Sequence, residues 1–113
     1  MKPMPVAAAI LVIGSLAAAP SSEQPRPGQQ IILVTGSTGG LGREVALRIA
    51  AGGAHVILHG RDSARGAEVL REIAQAGKGS ARFYPADFAS LAQVRRFAEA
   101  ILRDYDRLQV LVN

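Results

Sequence analysis

The chain has 113 residues, of which 49% are hydrophobic, 19% charged and 4% aromatic, with a formal net charge of +4. That length gives one domain at most, and that apolar content excludes a disordered chain. The lack of cysteine excludes disulfides, thiol catalysis and cysteine-ligated metal, and the scattered Lys and Arg, with no basic run interleaved with aromatics, argue against a nucleic-acid partner.

Residues 1–29 stand outside the predicted fold. Lys2 precedes an apolar run from Val6 to Ala19, the length of a signal-peptide core and short for a bilayer span. Ala17-Ala18-Ala19 resembles a small-residue cleavage site, while Pro20 directly after it opposes cleavage. Two readings stay open. Residues 6–19 are a signal peptide or short anchor, making the chain exported or membrane-associated, or they are an untidy N-terminus on a cytoplasmic chain. Pro20 to Gly28 reads as a polar, proline-rich linker, and nothing in residues 1–29 is expected to pack on the fold.

From residue 30 to 113 the pattern alternates strand and helix. Ile31-Ile32-Leu33-Val34 is a continuous β-branched and aliphatic run, the signature of a strand buried on both faces. A glycine cluster follows, then a helix from about Leu41 to Ala51, with Val45, Ala46, Ile49 and Ala50 on its inner face and Gly52-Gly53 as its stop. His55 to His59 is the second strand. Asp62 or Ser63 caps a helix with Ala67, Leu70 and Ile73 or Ala74 inward, ending near Gly77. Ala81 to Tyr84 is the third strand. Ser90-x-x-Gln93 is a capping box opening a helix with Leu91, Val94, Ala98, Ile101 and Tyr105 at helical spacing. Leu108 to Val112 begins a fourth strand. This order predicts an α/β fold, a partial Rossmann fold with a parallel sheet in order 3-2-1-4 and helices on both faces. With so few aromatics, the core is expected to be aliphatic and rich in alanine.

The most informative segment is Thr35-Gly36-Ser37-Thr38-Gly39-Gly40-Leu41-Gly42, between the first strand and its helix. A phosphate bridge needs bare backbone N–H groups at the positive end of a helix. Gly36 would allow the tight turn, Gly40 the approach of a pyrophosphate, and Gly42 close packing of helix on strand, while Ser37 and Thr38 would add hydroxyl donors. No Lys-Ser/Thr pair follows the glycines, which excludes a P-loop.

The spacing Thr-Gly-x-x-x-Gly-x-Gly resembles the short-chain dehydrogenase/reductase family, and the likeness runs from about Ile31 to Asn113. Three more segments are similar in order. After the second strand, His59-Gly60-Arg61-Asp62 lacks an acid at the strand end and places Arg61 where a 2′-phosphate would sit, so the cofactor implied is NADP(H) rather than NAD(H); a one-residue shift that turned Asp62 to the ribose would reverse this. Ala86-Asp87-Phe88-Ala89-Ser90-Leu91 resembles the family's Asp-Leu segment, which implies that the Asp87 side chain and the Phe88 backbone meet the adenine. Val112-Asn113 is similar to the start of the family's Asn-Asn-Ala-Gly. Arg after the second strand and an apolar N-terminus also resemble the retinol-dehydrogenase-like branch. The bland readings are a solvated Arg61, Asp87 as a helix cap, structural His55 and His59, and packing roles for Tyr84 and Tyr105. The serine and Tyr-x-x-x-Lys that do this family's chemistry lie beyond the Asn-Asn-Ala-Gly segment. The resemblance thus implies the cofactor half of an oxidoreductase interconverting alcohols and carbonyls, inactive by itself. The alternative is a non-catalytic NADP-binding sensor or scaffold. No signal of oligomeric state is present.

Overall fold

The computed structural model describes residues 24–113, so the apolar run at residues 6–19 lies outside the described residues. Among the described residues four strands, β1 (Ile31–Val34), β2 (His55–Gly60), β3 (Ser80–Pro85) and β4 (Val110–Val112), alternate with three helices, α1 (Gly40–Ala51), α2 (Ser63–Ala76) and α3 (Leu91–Asp104). All strand pairs are parallel, in the order β3-β2-β1-β4, as the strand–helix alternation requires. Among the described residues no helix is long and apolar enough to cross a membrane.

β1 is buried at every position, because alternate side chains enter two different cores. Ile32 and Val34 join Ala46 and Ala50 of α1, Val56 and Leu58 of β2, and Val69 and Ile73 of α2. Ile31 and Leu33 face the other way, with Ile57, Tyr84, Phe97 and Tyr105. The first layer is aliphatic as expected. The second is not. All five aromatic residues lie between Phe83 and Tyr105 in sequence, and Tyr84, Phe88, Phe97 and Tyr105 cluster there with the rings of His55 and His59.

Two helix faces differ from the periodicity reading. α2 buries Gly66, Val69 and Ile73, while Ala74 is exposed and Ala67 and Leu70 are only half-buried. The cause is Gly66, where a Cβ would come within 2.7 Å of the Phe83 ring, so the glycine brings the helix down onto β3. α3 turns Phe97 inward, with Ala100 and Ile101 packed beside it, and leaves Leu91 and Ala98 facing water. A large ring seated among other aromatics outweighs a regular stripe of smaller residues.

The linker also does more than expected. The Arg26 guanidinium donates to Lys78 O (2.9 Å), and Gln29 Nε2 donates to Gly53 O (2.9 Å). Ser80 Oγ donates to Gln29 Oε1 (3.1 Å), which connects the linker to a buried chain: Tyr105 hydroxyl to His55 Nε2 at 2.8 Å, and His55 Nδ1 to Ser80 Oγ at 2.7 Å. Residues 26–29 therefore pack against the amino ends of the strands. Burial, with Arg26 and Arg82 nearby, lowers the His55 pKa to about 4, so the network holds a neutral imidazole.

Candidate functional site

At the carboxyl end of β1 the chain passes through Thr35 into the glycine turn. Gly36 and Gly40 have φ values of +61° and +55°, the left-handed region that glycine enters without steric cost. A Cβ added to either would meet nothing within 4 Å, so the space beside them is open. Gly42 is the opposite case. Its Cβ would be driven into the backbone of Gly36, with the carbonyl carbon at 2.9 Å and Ser37 Cα at 3.3 Å. The first turn of α1 rests directly on the strand's exit.

The three helices differ in how they begin. Asp62 caps α2 by accepting from Ala64 N and Arg65 N, and Ser90 caps α3 by accepting from Gln93 N. α1 begins at Gly39 with no side-chain cap. Its first amides, on Gly40, Leu41 and Gly42, find no acceptor among the described residues, and they carry the positive end of the helix dipole. Leu41 is 81% exposed beside them. An uncapped helix start behind open glycines fits an anionic bridge.

His59 and Ser37 hold this turn in place. Ser37 is fully buried: its N–H donates to His59 O (2.8 Å), and its hydroxyl accepts from His59 N (2.9 Å) and donates to His59 O (3.3 Å). Its hydroxyl is therefore committed to β2 and is not a free donor. Thr38 lies over Gly60, where a Cβ would come within 2.7 Å of its methyl group. The His59 ring takes the Gly36 N–H on Nδ1 (2.9 Å) and donates from Nε2 to Ala86 O (3.0 Å). One imidazole thus ties the exits of β1, β2 and β3 together. The sequence gives it only a general structural role; its polar ring one residue before the end of a fully buried strand is the signal that points further.

Between these exits lies a cleft of about 360 Å³ lined by Gly36, Thr38, Gly60, Arg61, Asp87 and Phe88, with His59 and Ala86 at its base. Arg61 is exposed at its rim, and among the described residues its guanidinium makes no ion pair. Arg65, in the first turn of α2, places Nη1 3.7 Å from where a Cβ on Gly39 would stand, a placement that no sequence motif marks. Asp62, which Arg65 Nε approaches at 3.8 Å, is occupied in capping α2. Asp87 Oδ1 accepts from Ala89 N (2.9 Å), a local turn and not the helix cap. The capping box is shared out differently from its usual form: Gln93 Oε1 accepts from Asp87 N (2.8 Å) and so fixes the Asp87 loop. The Phe88 ring stacks on His59 with centroids 3.9 Å apart and planes 14° from parallel. At the far side of the turn the Thr35 hydroxyl donates to Asn113 Oδ1 (2.8 Å).

A wider hollow of about 710 Å³ opens at the opposite end of the sheet, lined by Arg26, Gln29, Arg48, Ile49 and Gly53 among others. It contains no residue of the glycine turn or of the Arg61 and Asp87 loops. The smaller cleft is the chemically equipped one, because Gly36 of the glycine turn, Arg61 and the Asp87-Phe88 loop line it, and the uncapped start of α1 follows in the same turn, with Arg65 beside Gly39. Among the described residues no cluster of His, Cys, Asp and Glu could hold a metal ion.

Comparison with known proteins finds relatives in both sequence and fold. Mouse polyprenol dehydrogenase is 45% identical over 85 residues, covering 74% of this chain and 24% of that protein. Among solved structures, a NADH-dependent reductase complexed with NAD has a TM-score of 0.65 at 36% identity, covering 75% of this chain and 35% of that one. A metagenomic short-chain oxidoreductase in complex with NADP has a TM-score of 0.68 at 34% identity, covering 73% and 37%. The chain spans between 24% and 30% of the length of the first three curated relatives it matches. The sequence profile of the short chain dehydrogenases matches residues 30–113 throughout, and the chain belongs to that family.

Proposed function

We propose that residues 30–113 form the NADP(H)-binding half of an oxidoreductase that interconverts alcohols and carbonyls. The observation that carries this reading is the uncapped start of α1, which follows the open Gly36 and begins at the open Gly40, with Arg65 beside its cap residue Gly39 and Arg61 lining the cleft with Gly36 and Thr38. The amides of Gly40, Leu41 and Gly42 would hold the pyrophosphate at the helix's positive end. Arg61 at the rim and Arg65 beside Gly39 would take a 2′-phosphate, with no carboxylate ending β2 to repel it. Asp87 and Phe88 would border the adenine, and Thr35 with Asn113 would close the turn's far side. Bound there, NADP(H) supplies or accepts a hydride at its nicotinamide.

The reading is supported by relatives solved with NAD and with NADP, whose difference makes cofactor choice the point to test. Titrating the chain with NADPH and with NADH, followed by cofactor fluorescence, should show tighter binding of NADPH. Arg61→Asp should weaken NADPH binding by about 1–3 kcal/mol, the worth of a charge-assisted hydrogen bond, and leave NADH little changed. Equal affinities for the two cofactors, unaltered by the substitution, would refute the NADP assignment.

A further inference from the structure

The cofactor reading gives no task to His59, yet its ring touches three strand exits. Nε2 must carry the proton, because its partner is the Ala86 carbonyl, and Nδ1 must be bare, because its partner is the Gly36 N–H. A protonated ring would turn an N–H toward the Gly36 N–H, and donor would face donor. We propose that the neutral His59 imidazole is the positioning residue of the glycine turn, so that protonating it releases Gly36 and weakens the hold on the dinucleotide. The inference rests on the cofactor reading for its consequence but not for its mechanism.

Several features favour a device of this kind. The ring is 6% exposed, covered by Phe88 stacked on one face and by the edge contact of Phe97 at 5.1 Å. Burial lowers its pKa, opposed by the hydrogen bond to Ala86, so the neutral form is the resident one. The ionisable groups around it are few. Arg61 lies just past the end of its strand, Asp87 borders the same cleft, and Tyr84 is its register partner on β3 with its hydroxyl on Asp104 (2.7 Å). α3 presents Phe97 and Gln93, with Arg96 on the Tyr84 side, and the glycine turn contributes no ionisable side chain. Among the described residues no carboxylate hydrogen-bonds the imidazole to stabilise a cation. Among the described residues the ring is also the sole side-chain acceptor for the Gly36 amide, which stands where the left-handed turn begins.

The test has two arms. In the first, the labelled full chain without cofactor is titrated by NMR, following the two ring nitrogens of His59 and the amide of Gly36. The expected result is a bare Nδ1 at neutral pH and a Gly36 amide that shifts in step with His59 protonation. A Gly36 amide indifferent to that protonation would overturn the proposal. In the second, NADPH affinity is measured from about pH 8 to about pH 5 for the chain and for His59→Gln, whose amide can accept and donate but not titrate. The cofactor's own 2′-phosphate protonates at about pH 6, so the readout is the difference between the two proteins. Affinity of the unaltered chain should fall up to about tenfold more per pH unit than that of His59→Gln below the His59 midpoint, as a binding-competent fraction is lost. Parallel profiles would overturn the coupling. If His59→Gln does not fold, the first arm decides alone. A chain that binds no dinucleotide at any pH, while Gly36 still follows His59, would defeat the cofactor reading and leave the positioning role standing.

Discussion

Replacing Gly42 with alanine separates packing from ligand contact at the glycine turn. The new methyl would be driven into the Gly36 backbone, 2.9 Å from its carbonyl carbon. Main chain cannot rotate aside as a side-chain tip can, so either α1 lifts from β1 or the turn moves. α1 is seated by Ala46 and Ala50 against Ile32 and Val34, and the turn is bound to His59, so neither moves freely. Overpacking of this kind costs about 2–3 kcal/mol, the upper part of the usual range. For a domain of this size that lowers the thermal midpoint by about 10–20 °C. Gly40→Ala is the internal control. Its methyl meets nothing within 4 Å, and the cost is the left-handed backbone alone, about 1–2 kcal/mol. That methyl, however, would occupy the open space beside the helix amides and should block the cofactor. Thermal denaturation by circular dichroism and NADPH titration of both variants form the assay. Gly42→Ala should lose more stability, and Gly40→Ala should lose binding out of proportion to its stability. A Gly42→Ala protein as stable as the original would refute the close-packing argument.

Two further outcomes follow from the same geometry. His55 is fully buried and its pKa is lowered from 6.5 to about 4, so the folded chain resists a proton that the unfolded chain accepts. Stability should be complete above pH 6.5 and decline as pH falls toward about 4, by on the order of 2–3 kcal/mol, and urea denaturation across that window should show a loss that His55→Asn largely removes. Asp62→Ala deletes the α2 cap, which accepts from Ala64 N at 2.9 Å, and should cost about 1 kcal/mol by the same denaturation measurement. An unchanged midpoint would mean that water replaces the cap in full.

What could be read in advance was local or periodic. The buried run of β1, the glycine spacing, the α2 and α3 caps and the strand order all follow from short-range pattern and the handedness of crossovers. What was missed depended on contacts between distant segments. The rotation of α2 follows from Gly66 meeting Phe83, and the inner face of α3 from Phe97 entering an aromatic cluster. Periodicity cannot detect either. Arg65 lies four residues past Arg61, in the first turn of α2, and only folding brings it to Gly39. Ser37 looked like a free donor because its spacing gave no sign that the backbone of β2 would engage its hydroxyl. The docking of Arg26 and Gln29 likewise arises from carbonyls of Lys78 and Gly53, which no composition rule singles out.

The most direct test of the central claim is amide chemical-shift mapping of the chain with NADPH. The predicted response centres on Gly36 to Gly42, with Arg61, Arg65 and Phe88, and leaves the far hollow around Arg26, Arg48 and Gly53 unchanged. Shifts confined to that hollow, or none at saturating NADPH, would contradict the assignment of the glycine turn as the dinucleotide site.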